Sequence, residues 1–242
     1  MSLFSSVEMA PRDPILGLNE QFAADPSPHK VNLGVGVYFD ENGKLPLLTC
    51  VRSAEEQLMA KPSARGYLPI DGIAAYDAAV KALVFGAEST ALSEQRVATV
   101  QALGGTGGLK IGADFLKKIN PSAKVLISDP SWENHRALFT QAGFSVGTYT
   151  YYDANQRGVN FQGMLDSLRQ AEAGTVVVLH ACCHNPTGYD ISLSQWQQVI
   201  EVVKSKNLVP FLDMAYQGFG QGRSEEHTSE LQSLAYLVCR LL

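Results

Sequence analysis

The feature that most constrains this chain is a rhythm that begins at Val97. Short, β-branched apolar runs alternate with stretches whose apolar residues recur at helical spacing. Residues 97–103 (VATVQAL) read as a strand, and residues 109–119 (LKIGADFLKKI) as a helix with Leu109, Phe115, Leu116 and Ile119 on one stripe. Residues 125–128 (VLIS), 144–149, 175–180 (TVVVLH) and 208–213 (LVPFLD) read as further strands, with helices over 133–142, 161–171 and 193–204. Parallel strands need long crossovers, usually helical, and strands buried on both faces lose their polar alternation. The rhythm therefore predicts an α/β fold, a mostly parallel sheet covered by helices on both faces. Ligands of such sheets sit beyond the carboxyl ends of the strands.

The first part of the chain is different. Residues 13–22 and 53–59 have helical spacing, and residues 31–39 (VNLGVGVYF) form an extended, Gly-containing segment after Pro26 and Pro28. With 242 residues, 45% hydrophobic and 18% charged, the chain has the composition of a globular protein. Its acids and bases are interspersed around a net charge of −5, which argues against a nucleic-acid surface. No apolar run approaches the ~18 residues of a membrane span. Residues 1–11 lack a basic region followed by an apolar core, so no signal peptide is expected, which points to the cytoplasm. Cys50, Cys182, Cys183 and Cys239 show no metal-ligand spacing and read as buried thiols.

Four segments at predicted strand ends carry polar groups. The loop LGGTGGL (103–109) precedes a helix, and its glycines let a backbone approach an anion at the helix N-terminus, with the Thr106 hydroxyl as a further donor. It fits neither common nucleotide-binding glycine pattern and reads equally as a plain tight turn. Trp132 presents either a flat face to a planar ligand or a packing surface to the core. In HACCHNPTG (180–188), Asn185 precedes a proline and is biased to extended backbone, where a cis bond is plausible. His180 and His184 invite a zinc reading, but no third ligand is evident in the spacing, so no metal is expected. In LDMAYQGFG (212–220), a buried Asp213 needs a cationic partner unless it caps a helix, and Tyr216 follows with a hydroxyl. A phosphate cradle, a flat aromatic face, an amide, a buried acid and a phenol suit a planar, phosphorylated, cationic heteroaromatic such as pyridoxal 5′-phosphate (PLP).

On PILGL, VNLGVGVYFDENGK, YLPIDG, LGGTGGLKIGADFL, SDPSWENH, YYDA, HACCHNPTG and FLDMAYQGFG, in this order from about Pro14 to about Gly222, the chain resembles the class I, fold-type I aminotransferases of the aspartate/aromatic subgroup. The resemblance implies the three-layer α/β/α large domain of PLP-dependent transferases, incomplete here, with residues 1–45 as an N-terminal arm and small-domain portion and 46–222 as the PLP-binding large domain. It implies that Gly104, Gly105 and Thr106 bind the phosphate, that Trp132 stacks on the pyridine ring, and that Asp213 pairs with its nitrogen. Asn185 and Tyr216 would bind the phenolic oxygen, while His135 and His180 orient Asp213. Tyr67 would reach the phosphate in a neighbouring subunit, implying a homodimer. Gly36, Trp132 and Asn185 would face the amino-acid or 2-oxo-acid substrate.

One departure bears on activity. Family members carry a Schiff-base lysine beyond the tyrosine matching Tyr216, together with two arginines for the phosphate and the substrate carboxylate. None of the residues after Tyr216 here is a lysine. The chain as it stands is therefore expected not to transaminate. Residues 223–242, beginning RSEEHTSELQS, resemble a translated sequencing-adapter oligonucleotide and are expected to lie outside the fold; the alternative is a helix with Leu231, Leu234, Leu237 and Leu241 on one face. Phe39 and Leu45 are apolar where aspartate-selective members resemble Lys and Thr, which implies a range including aromatic amino acids, with 2-oxoglutarate as acceptor; Val37 and Thr106 look aspartate-like. A PLP-dependent Cβ or Cγ lyase and a non-catalytic PLP-binding module are the competing readings.

Overall fold

A computed structural model describes residues 3–13, 16–32, 34, 36–220 and 237–239. The chain divides into two compact units, Met1–Gly66 and Tyr67–Leu242.

The first unit holds two helices, α1 (Leu16–Ala24) and α2 (Thr49–Ala60), joined by extended chain. Both agree with the expected helices, each running a little further at its C-terminal end. The expected start of the resemblance at residues 14–15, and residues 33 and 35 of the extended segment, lie outside the described residues. Cys50, expected to be buried, is exposed on α2, because α2 buries none of its residues.

The second unit is the α/β body. Helices α3 (Ala74–Phe85), α4 (Thr90–Ser93) and α5 (Gly104–Ile119) lead to strand β1 (Lys124–Asp129). Then follow α6 (Glu133–Gln141), β2 (Ser145–Thr150), a small hairpin of β3 (Tyr152–Asp153) and β4 (Gly158–Val159), α7 (Phe161–Gln170), β5 (Val176–His180), α8 (Leu193–Ser205), β6 (Val209–Asp213) and β7 (Leu237–Cys239). The sheet order is β2-β1-β5-β6-β7, with every described pairing parallel.

The period-2 geometry of the strands separates two interiors. Val125, Ile127, Val176, Val178 and Phe211 meet α5 and α6 through Leu109, Ala113, Leu116 and Phe139. Val177, Leu179 and Leu212 meet α7 and α8 through Met164, Leu165, Leu168, Trp196 and Val199. The chain is thus the expected three-layer α/β/α sandwich. After β2 the direction of strand addition reverses, and with one crossover handedness that reversal moves the next helices to the opposite face. The reversal lies between β1 and β5, where a crevice opens above the strand ends. Gly112 lets α5 lie close to the sheet: a Cβ there would stand 2.9 Å from Phe211 Cε2.

Three expectations need correction. Residues 97–103 form no strand; the Gln101 N–H donates to the Asp71 carbonyl in a turn, so the segment finds no neighbouring strand among the described residues. The glycine loop is no separate turn, because helix α5 already begins at Gly104 and absorbs it. Helix α3 has no counterpart in the sequence reading, because its run AAYDAAVKALVF is too uniformly apolar to show a stripe. Residues 221–236 and 240–242 lie outside the described residues. Residues 237–239, expected outside the fold or on a helical face, instead form β7 and pair with β6.

Candidate active site

Strands β5 and β6 end in register, His180 opposite Asp213. Both share the parity of Val176, Val178 and Phe211, so both side chains fall on the α5/α6 face. Helix α6 begins just after Trp132 and, one turn in, delivers a fully buried His135 to the same place. The His135 Nε2 lies 2.8 Å from Asp213 Oδ2. An ionised carboxylate can only accept, so Nε2–H donates, while Nδ1 pairs with the Ser131 hydroxyl at 2.8 Å. The partner that a buried Asp213 requires is therefore an imidazole, not a lysine or arginine.

A pocket opens over these groups, lined by Trp132, His180, Asn185, Asp213 and Tyr216, with Cys182 and Ala215 completing the wall. Five of the residues expected to bind or orient a cofactor thus converge. The Trp132 ring meets His135 edge-on at 5.5 Å, and His135 meets His180 at 5.0 Å. His180 makes no bond of its own to Asp213, unlike His135: both its ring nitrogens are buried without a partner. Burial pushes its pKa well below the ordinary histidine value, helped by His184 and His135, so the ring is neutral. A neutral imidazole with two idle nitrogens in a pocket wall is a site waiting for a ligand atom.

Ligand atoms of His135, His180 and Asp213 lie within 4.8 Å of one another. The sequence offered His180 with His184 as a metal pair; this cluster contains His180 but not His184. However, the direct 2.8 Å hydrogen bond between His135 and Asp213 occupies the gap a cation would need. The arrangement therefore favours a ligand that meets the carboxylate beside the histidine.

Behind the wall, His184 is buried and bonded at both nitrogens, Nε2 to Ser128 Oγ at 2.9 Å and Nδ1 to Thr187 Oγ1 at 2.8 Å. Burial pushes its pKa down to about 4, against the opposing pull of Asp190. The Asn185–Pro186 and Asp129–Pro130 bonds are cis.

The remaining expected residues lie outside this pocket. Gly104, Gly105 and Thr106 form the first turn of α5, with Thr106 exposed. Helix α5 runs back along the sheet and feeds β1 through the short turn 120–123, so its N-terminus lies at the end where the strands finish. Tyr67 is fully exposed. Gly36 belongs to the other unit and has open space where a Cβ would stand. Sequence reasoning missed Ser131, Cys182, Ala215, Asp190 and the ring engagement of His184. Only Ser131 left a signal, four residues before a histidine at a helix start.

Comparisons with known proteins agree with this geometry. The family described as aminotransferase class I and II matches residues 28–239. An aspartate aminotransferase of Pseudomonas aeruginosa is 62% identical over 226 residues, covering 93% of this chain and 57% of the relative. An aromatic-amino-acid aminotransferase of Escherichia coli is 50% identical over 225 residues, with the same two coverages. The crystal structure of an aromatic-amino-acid aminotransferase from Burkholderia pseudomallei, covalently bound to pyridoxal phosphate, superposes with a TM-score of 0.94 at 61% identity, over 100% of this chain and 61% of that one. The chain thus spans little more than half the length of the curated relatives it matches.

Proposed function

Because the chain belongs to the class I and II aminotransferases, we propose that its pocket is the PLP-recognition half of a site for transamination between an L-amino acid, aspartate or aromatic, and 2-oxoglutarate. The observation that carries this reading is the Asp213–His135 pair at the base of a pocket walled by Trp132, Asn185 and Tyr216. The pocket fits the cofactor: it offers a flat aromatic wall, a buried acid, and polar groups that lack protein partners. Bound there, PLP supplies an electron sink for the charge that develops when an amino acid loses its Cα proton.

The chain's residues divide the task. Asp213 Oδ2 is held by His135, and the carboxylate would pair with the protonated ring nitrogen of PLP. Trp132 excludes water from one ring face and sets the ring plane. The Asn185 amide and the Tyr216 hydroxyl donate to the phenolic oxygen. The first turn of α5 offers backbone N–H groups and the Thr106 hydroxyl to the phosphate. Tyr67, exposed on the body, serves the phosphate of a second subunit in a homodimer. A place for Gly36 beside the substrate carboxylate rests on the family resemblance alone. No lysine follows Lys206 in the chain. The 242-residue chain therefore binds PLP without a covalent link and does not turn over.

Titration of the purified chain with PLP, followed by Trp132 fluorescence and cofactor absorbance, tests this. Binding that washes out after borohydride is expected, with affinity falling about 100-fold in Asp213→Ala as the ring cation and His135 lose their acceptor. Unchanged affinity in that variant, or steady glutamate formation from 2-oxoglutarate by the unmodified chain, overturns the reading. Substrate breadth is tested in a chimera completed with the C-terminal portion of the Pseudomonas aeruginosa relative. Turnover of aspartate with none of phenylalanine would refute the broad range.

A further inference from the structure

We infer that Asp190 is a positioning residue for Asn185, a carboxylate that aims the amide at the ligand from outside the pocket. The inference rests on the proposed role of Asn185 and adds to it a device the pocket itself does not contain.

Asn185 stands in a loop between β5 and α8, and loops are poor platforms for a precise hydrogen bond. The two residues before it are held in a specific way. The Cys183 N–H donates to Asp190 Oδ2 at 2.7 Å and the His184 N–H donates to Asp190 Oδ1 at 2.8 Å. One carboxylate thus grips two consecutive peptide groups. Cys183 sits at φ 49°, in the left-handed region that non-glycine residues avoid, so this backbone needs an outside hold to persist. A carboxylate accepting two N–H groups is a strong clamp of that kind.

The clamp is itself anchored. Ile191, the next residue, is buried in the α7/α8 interior. Ser192 then caps α8 with a full capping box. Asp190 therefore carries the rigidity of a packed helix onto the backbone just before Asn185. The far side of the loop is fixed separately. Tyr151 stacks on His184 at 4.0 Å and 12°, and its hydroxyl donates to the Tyr189 carbonyl at 2.7 Å. The His184 carbonyl, on the peptide that leads into Asn185, accepts from the Gly188 N–H at 2.7 Å, so Asp190 and Gly188 together fix the backbone on which Asn185 stands.

The test uses the whole chain and two ligands, PLP and 3-deoxypyridoxal 5′-phosphate, which lacks the phenolic oxygen that Asn185 serves. In Asp190→Ala, PLP affinity is expected to fall about tenfold while affinity for the 3-deoxy compound is unchanged. Asp190→Asn, which keeps one acceptor oxygen, is expected to lose less. In an Asn185→Ala background, Asp190→Ala is expected to have no further effect on PLP. Equal losses for both ligands would mean general loosening of the fold and overturn the inference, as would no loss for either. If the unmodified chain binds no PLP, the functional reading fails on its own. Amide exchange at Cys183 and His184 then decides this inference: lost protection in Asp190→Ala supports the clamp, and retained protection overturns it.

Discussion

Helices α2 and α8 are of similar length, 12 and 13 residues, and each carries apolar residues at helical spacing. Helix α8 buries Trp196, Val199, Ile200, Val202 and Val203 against the sheet. Helix α2 buries nothing, and its Leu58 and Met59 stay 67% and 81% exposed. The wider units differ in the same sense: among the described residues of Met1–Gly66, only Gly17 is buried. An amphipathic pattern is enough to write a helix, but a helix gains stability chiefly from the surface it packs on. Stability in this chain resides where a sheet provides that surface, and the pocket is built there.

Core truncation gives the largest contrast. Trp196→Ala should cost about 3–5 kcal/mol, through lost transfer energy and the cavity left behind. Leu58→Ala should change stability by less than ~0.5 kcal/mol. Urea midpoints of the two variants measure this, and a Leu58 cost approaching that of Trp196 would break the comparison. Acid should act on the sheet unit next. His184 has a folded pKa near 4 against an unfolded value near 6.5. Between those values the unfolded chain binds the extra proton, so stability is full above pH 6.5 and declines as pH falls toward 4, by about 3 kcal/mol at most. His180 adds to the loss in the same direction. A His184→Asn variant should flatten the slope of midpoint against pH, and an unaltered slope would remove His184 as its source. The smallest contrast concerns the helix starts. Ser192 completes a capping box on α8, whereas Leu48 offers α2 no side-chain cap. Ser192→Ala should lower stability by about 1 kcal/mol, and Leu48→Ser should raise helix content with little change in the unfolding midpoint.

The parts legible in the sequence are those whose signal is local. Strands β1, β5 and β6 are dense in β-branched and apolar residues, and their neighbours supply helices of clear period. Residues 97–103 carry the same composition without becoming a strand, because a strand is defined by a partner that lies elsewhere in the chain. Helix α3 was invisible for the opposite reason, a stretch too evenly apolar to show a face. At the site, Asn185, Asp213 and Trp132 stand at strand ends, where the sheet geometry makes polar residues conspicuous. The bond from His135 to Asp213 joins residues 78 positions apart, and only the family resemblance suggested it. Nothing in the spelling of Asp190 marks it as the holder of two backbone groups. Its role depends on a loop conformation that the sequence does not encode in any single pair of residues.

The bare face of Gly112 sets how far α5 stands from Phe211, and so acts as the fulcrum of that helix. Gly104 lies eight residues away, a lever arm of about 12 Å. A methyl group at Gly112 has to lift or tilt the helix, and the swing is greatest at its free end, where Thr106 sits. If the first turn of α5 holds the phosphate as proposed, variants selected for altered grip on it should include changes at this helix–sheet contact.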